Sequence, residues 1–129
     1  MNSSCFINGE WIEPVGDKLV DNVNPADPDD VIQQFKPAGK NEVELAVDAA
    51  MKAFESWKNT PAPARGRLLL KAVEISHRRA EEIAKVMTRE QGKVYPEALG
   101  EVKKGINLLE YYAGAGFRLE GQSLPSESQ

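Results

Sequence analysis

The stretch Asn41-Glu-Val-Glu-Leu-Ala-Val-Asp-Ala-Ala-Met-Lys-Ala-Phe-Glu-Ser-Trp57 decides the fold class. Apolar residues recur at Val43, Ala46, Val47, Ala50, Phe54 and Trp57, the three- and four-residue spacing that gathers side chains on one helical face. Asn41 supplies an N-cap side chain, and Glu44 three residues later completes a capping-box pattern. The spacing therefore predicts a helix that starts at Asn41 and buries this face. Asn59-Thr-Pro61 ends it, because proline disfavours helical backbone in its predecessor.

Toward the C-terminus the same period continues. From about Pro63, the residues Leu68, Leu69, Ala72, Val73, Ile75, Ile83, Val86 and Met87 mark a second helical zone, with a break near Ser76 to Arg79. It closes at Gly92, a natural left-handed C′ residue. Beyond Pro96, which suits a first helical turn, Ala98, Val102, Ile106, Leu109, Tyr112 and Ala113 form a third stripe reaching about Gly116.

Toward the N-terminus the signals change to turns and short strands. Asn8-Gly9 lies between apolar residues in Phe6-Ile-Asn-Gly-Glu-Trp-Ile12, the pattern of a tight β-hairpin. A second extended run, Lys18 to Val23, follows the turn-like Pro14-Val-Gly-Asp17 and stops at Asn24-Pro25, and Val31-Ile32 is a further strand candidate. The expected class is α+β, mostly helical with an N-terminal β-hairpin: short strands and turns over 5–36, helices over 41–117, and a connecting segment over 118–129. No period of twenty to fifty residues repeats, which argues against a solenoid. The apolar stripes outnumber what the short strands can cover, so part of this surface is expected to meet structure outside the chain.

Composition narrows the function. The 129 residues carry a net charge of −4, with basic and acidic side chains interleaved, so no footprint for nucleic acid is present. No long apolar run marks a membrane span, and Met1-Asn-Ser-Ser-Cys-Phe6 lacks the basic-then-apolar order of a signal peptide. The single cysteine, Cys5, cannot form an internal disulfide, which suits a reducing cytoplasm.

None of the reactive residues forms a complete constellation. Cys5 is more than seventy positions from the only histidine, His77, and has no local cue for activation. His77 beside Ser76, Arg78 and Arg79 reads as a solvated or helix-terminal residue, and one histidine cannot anchor a multi-ligand zinc site. Gly114-Ala-Gly116 begins like a dinucleotide fingerprint, but Leu119 stands where the third glycine belongs and the pair closes a helix. Glu97, Glu101, Glu110, Lys103 and Lys104 read as the solvated side of the third stripe, and Tyr111, Tyr112 and the tryptophans as core or interface aromatics. Gly100 and Gly105 inside that helix cost about 1 kcal/mol each relative to alanine, which close approach of another backbone would offset. No catalytic, cofactor-binding or metal-binding residue is assigned.

The ordered set of segments resembles the start of aldehyde dehydrogenases. Phe6-Ile-Asn-Gly-Glu-Trp11 is similar to the family's opening hairpin, Asn24-Pro25-Ala26 to its Asn-Pro-Ala turn, and Val47-Asp-Ala-Ala-Met-Lys-Ala-Phe54 with Trp57 to its first long helix. Arg65-Gly-Arg67 with Leu68-Leu69-Leu70 resembles the start of the next helix. Glu90-Gln-Gly-Lys93, Glu97-Ala98 and Gly100-Glu101-Val102 resemble the segment that leads into a helix closing at Tyr111-Tyr112-Ala113-Gly114. Leu124-Pro125-Ser126 resembles the entry to later strands.

This resemblance implies that residues 1–129 are the N-terminal part of the cofactor-binding domain of a longer α/β protein with a Rossmann-like NAD(P) domain. The family's cofactor loop, thiol nucleophile and glutamate base come later in the chain, so residues 1–129 alone are expected to be inactive and to bind neither NAD nor NADP. The longer protein would oxidise an aldehyde, with the Glu90–Lys93 and Tyr111–Gly114 segments most similar to branches acting on semialdehydes of succinate or 2-oxoglutarate. A homodimer or homotetramer in the cytoplasm, without nucleic-acid or membrane partners, is implied. Some members hold a structural cation with a Thr or Ser before Val-Asn-Pro and an Asp before Asn-Gly-Lys; here Asn22 and Glu90 stand at those positions. The alternative is a non-catalytic helical interaction module.

Overall fold

Glu42 organises the start of the first helix, in a computed structural model that describes residues 5–16 and 18–127. The readings at Met1 to Ser4, at Asp17 of the Pro14–Asp17 turn and at the last two residues lie outside the described residues. Helix α1 spans Lys40–Trp57, one residue ahead of the expected start, and its N-cap is Gly39 rather than Asn41. Gly39 has no side chain to cap with, so the N3 residue Glu42 does the work instead of Glu44. Its Oε2 accepts the Gly39 N–H at 2.7 Å and its Oε1 accepts the Val15 N–H at 3.3 Å. The carboxylate thus ties the segment after the first hairpin to the helix, and it is buried, at 6% exposure. Hydrogen bonds from Gly39, Val15 and its own N–H hold its pKa below the usual range.

The hairpin β1 (Cys5–Ile7) and β2 (Glu10–Ile12) forms as expected, with Asn8 at φ 53° and Gly9 at φ 84° in the two turn positions. Both lie in the left-handed region that an Asn-Gly turn requires. Phe6 pairs with Trp11 across the strands, their ring centroids 5.0 Å apart. Ile7 is buried, and with Phe6 and Asn8 it faces Ala46, Ala49, Ala50 and Ala53 of α1 across a shallow cleft. A second hairpin joins β3 (Val20–Asn24) to β4 (Asp27–Phe35) through Asn24-Pro25-Ala26, with register shifts on either side of Val23. The strand anticipated at Val31-Ile32 is therefore longer, and the hairpins form separate two-stranded antiparallel sheets.

Three more helices follow: α2 (Ala62–Arg78), α3 (Ala80–Gln91) and α4 (Tyr95–Ala115). The break expected between Ser76 and Arg79 falls at Arg79, whose backbone leaves the helical region at φ −105°, ψ 8°. Gly92 ends α3 at φ 65°, as expected of a C′ glycine. Pro96 lies in the first turn of α4, where its missing N–H removes no helical bond. The core gathers Val73 of α2, Ala80 and Ala84 of α3, and Ala98, Val102 and Ile106 of α4. Met87, Tyr95, Leu99 and Leu109 pack around it. The architecture is α+β and mostly helical.

Several apolar residues expected inside are outside. On α1, Val43, Val47, Phe54 and Trp57 are 45–56% exposed, and Ala46 and Ala50 are exposed as well. The cause is the absence of a covering layer: among the described residues only the first hairpin packs broadly along α1. Leu68, Leu69, Ile75, Ile83 and Tyr112 are exposed as well, Leu69 and Tyr112 at the rim of the cleft between α2 and the end of α4.

The glycine expectation also needs correcting. A Cβ on Gly100 or Gly105 would meet nothing within 4 Å, whereas one on Gly66 would lie 2.6 Å from the Ala113 carbonyl oxygen and one on Gly116 the same distance from that of Ala62. Backbone approach occurs where α2 meets the end of α4. Gly66→Ala is accordingly expected to destabilise the chain by about 1–3 kcal/mol, while Gly100→Ala and Gly105→Ala stabilise it by up to about 1 kcal/mol each; chemical denaturation of the three variants checks the difference in sign. Because the pKa of Glu42 is lowered on folding, its contribution is present above the ordinary carboxylate range and is lost as pH falls through its folded value. Glu42→Gln should therefore lower the thermal midpoint at neutral pH, and the gap to the unsubstituted chain should narrow and then close as pH falls below the ordinary glutamate range. A gap independent of pH would show that the charge of Glu42 is not what holds Val15 and Gly39.

Candidate functional site

The polar junction between the second hairpin and the C-terminal turn of α3 is the part of the molecule where side chains from distant sequence converge. Asp30 on β4 accepts hydrogen bonds from both arms of Arg89, the Nε bond measuring 3.0 Å and the Nη2 bond shorter. Asn24 Nδ2 donates to the same carboxylate at 3.2 Å. These donors, Arg89 first and Asn24 second, hold the Asp30 carboxyl below its usual range, and Asp30 raises Arg89 in return. Asn24 Oδ1 also accepts the Ala26 N–H at 3.0 Å, fixing the turn that presents Pro25.

One helical step further, Asn22 Nδ2 on β3 donates to Glu90 Oε1 at 3.0 Å. Gly92 then lets the chain pass the turn. A Cβ there would lie 2.9 Å from both the Ala26 nitrogen and Pro25 Cγ. Lys93, its side chain only 19% exposed, donates to Glu101 Oε1 of α4 at 2.7 Å. The Asn24–Ala26 turn and the Glu90–Lys93 segment, far apart in sequence, thus meet through a steric fit flanked by hydrogen bonds. Buried oxygens without a hydrogen-bond partner lie on both sides of this junction, on Gln33 of β4 and Thr88 of α3.

Asp30, Arg89 and Glu42 have no mark in the sequence analysis. For the first two no local signal exists, since 59 positions separate them. Glu42 could have been found by allowing glycine at the N-cap, which places a glutamate at N3.

The other candidates stand apart. Cys5 is half-buried in β1, and His77 is exposed in the last turn of α2. Gly116 donates its N–H to the Ala113 carbonyl at 3.3 Å and packs on Ala62, so this glycine serves a helix crossing instead of a phosphate. Glu97, Glu101, Glu110, Lys103 and Lys104 are exposed on α4, Glu101 being paired with Lys93. Tyr111 and Tyr112 meet edge to face at 5.4 Å, and Arg118 lies over the Tyr111 ring. Among the described residues no three His, Cys, Asp or Glu side chains are grouped to hold a metal ion, and no helix is long and apolar enough to cross a membrane.

Comparison with known proteins agrees with this arrangement. The sequence pattern of the aldehyde dehydrogenase family matches residues 11–129. An α-ketoglutaric semialdehyde dehydrogenase of Bacillus subtilis is 43% identical over 121 residues, which are 94% of this chain and 25% of that protein. A 2,5-dioxopentanoate dehydrogenase of Saccharolobus solfataricus is 39% identical over 98% of this chain and 26% of its own length. The crystal structure of an NAD-dependent benzaldehyde dehydrogenase from Corynebacterium glutamicum superimposes with a TM-score of 0.92 at 30% identity, covering 99% of this chain and 28% of that one. The chain therefore spans about a quarter of the length of the relatives it matches. The likeness to semialdehyde dehydrogenases expected from Glu90–Lys93 and Tyr111–Gly114 holds, and the chain belongs to the aldehyde dehydrogenase family.

Proposed function

We propose that residues 1–129 form the N-terminal quarter of an NAD(P)-dependent aldehyde dehydrogenase, within its Rossmann-like cofactor-binding domain, and that the chain alone is catalytically silent. The observation that carries this reading is the match in fold over 99% of this chain to 28% of an NAD-dependent enzyme. The exposed face of α1, with Phe54 and Trp57, supports it, because apolar surface of this extent is normally covered. In the longer protein a cysteine thiolate adds to the aldehyde carbonyl, hydride leaves that carbon for NAD(P)+, and water releases the resulting acyl group as a carboxylate. The residues for these steps would lie outside this chain. The proposal includes action in the cytoplasm as a homodimer or homotetramer.

The names of the Bacillus subtilis and Saccharolobus solfataricus relatives favour an aldehyde that also bears a carboxylate. The longer enzyme should then turn over succinate semialdehyde with a kcat/KM at least roughly tenfold above that for hexanal, a difference of about 1.4 kcal/mol in transition-state binding; the reverse order would remove the substrate assignment. The isolated chain should give no saturable heat on titration with NAD+ and no NADH with either aldehyde. Micromolar binding, or turnover abolished by Cys5→Ala, would place in this chain the chemistry assigned to the remainder.

A further inference from the structure

We infer that Asn8 is a site of self-modification, at which the backbone of Gly9 expels the side-chain amide as ammonia and the resulting isoaspartate releases the first hairpin from α1. The inference is independent of the proposed enzyme. The Gly9 nitrogen forms a bond to Asn8 Cγ and gives up its proton, the side-chain nitrogen leaves as ammonia, and a five-membered cyclic imide remains. Water then opens the ring: its oxygen adds to one of the two carbonyls, that carbon–nitrogen bond breaks, and the ring nitrogen recovers a proton. Opening at the side-chain carbonyl leaves an ordinary aspartate. Opening at the backbone carbonyl leaves a main chain that runs through Cβ and is one atom longer.

The geometry of the turn selects Asn8. Ile7 pairs with Glu10, so Asn8 and Gly9 stand outside the ladder and the Gly9 nitrogen is not committed to a cross-strand bond. Both residues are exposed, and a Cβ built on Gly9 would meet nothing within 4 Å, so the space around the attacking residue is open. Ring closure needs the tight turn to loosen, which a sheet of two short strands does readily. The other asparagines among the described residues lack this freedom. Asn24 precedes Pro25, which has no N–H to attack with. After Asn41, Asn59 and Asn107 the N–H is already held, by the Glu42 carboxylate, by the Trp57 carbonyl at 3.0 Å and inside α4. Asn22 is bonded to Glu90 and precedes Val23, whose branched side chain crowds the approach.

A two-residue turn has no place for an extra backbone atom. Ile7 and Asn8 line the clefts on both sides of the hairpin where it meets α1, one of them shared with Glu10, Asp48 and Lys52. The isoaspartate therefore shifts the Ile7–Glu10 pairing, withdraws the buried Ile7 from α1 and sets a further carboxylate beside Glu10 and Asp48.

Incubation of the 129-residue chain at mildly alkaline and at mildly acidic pH tests the inference, with peptide mapping by mass spectrometry and enzymatic methylation of isoaspartate as readouts. Loss of ammonia, an acidic shift and isoaspartate are expected at position 8 before any other asparagine reacts, and sooner at alkaline pH because the attacking nitrogen must lose its proton. Asn8→Gly, which removes the side chain and suits the left-handed turn, should abolish the early acidic shift. Hydrogen exchange should be faster at the amides of β1 and β2 in the isoaspartyl fraction, and unchanged in freshly prepared Asn8→Asp, which gains the charge without the extra atom. The inference is overturned if Asn8 outlasts another asparagine or survives many half-lives of a free peptide of residues 5–12. An unchanged acidic shift in Asn8→Gly, or equal exchange in the isoaspartyl fraction and the unmodified chain, overturns it too.

Discussion

The close passage of backbone against backbone where α2 meets the end of α4 is the constraint on which the other contacts depend. Gly66 and Gly116 have no Cβ, and each lies where one would press on a carbonyl oxygen of the opposite helix. Only that approach brings Val73 of α2 within reach of the α4 residues that also receive Ala80 and Ala84 of α3. The second hairpin rests on α3 in turn, so an error in the α2–α4 distance would propagate through each later contact. Small side chains continue the theme: Ala84, Ala98 and Ala113 are fully buried, and a core built from alanine tolerates little separation between helices.

The attachment of the second hairpin divides its work between shape and charge. Exposed ion pairs contribute little to stability because water competes for both partners. Arg89 and Asp30 meet in a two-pronged geometry that selects one orientation, while Gly92 against Pro25 and Ala26 sets the distance. The Asn24–Ala26 turn and the Glu90–Lys93 segment thus meet at a place where steric fit, and not charge alone, fixes the backbone. This part of the chain holds elements in place.

Features governed by neighbouring residues were legible in the sequence. Asn8-Gly9 specifies its turn through backbone preference, Gly92 its helix end, and Pro96 its helix start, without help from distant residues. The start of α1 was misplaced because the capping carboxylate belongs to Glu42, inside the helix, and serves Val15 as well. Periodicity located the apolar face of α1 and could not tell that, among the described residues, the first hairpin covers only part of it and leaves Val43, Val47, Phe54 and Trp57 exposed. Likewise a glycine within a helix is visible in the sequence, but whether it faces a backbone, as Gly66 does, or open space, as Gly100 does, depends on a crossing set by the whole bundle. The pairing of Arg89 with Asp30 was illegible for the same reason, having no pattern at any fixed spacing.

The bare face of α1 carries a consequence for biosynthesis. If the chain opens a polypeptide about four times its length, as proposed, α1 leaves the ribosome long before the residues that would cover it. At ordinary synthesis rates the remaining three-quarters takes roughly tens of seconds to emerge, far longer than a helix needs to form. Throughout that interval Val43, Val47, Phe54 and Trp57 stand as a ready-made sticky stripe on an already folded helix. The proposed longer protein would then pass through a stage in which chaperone capture and premature association between neighbouring chains on one messenger compete for the same surface.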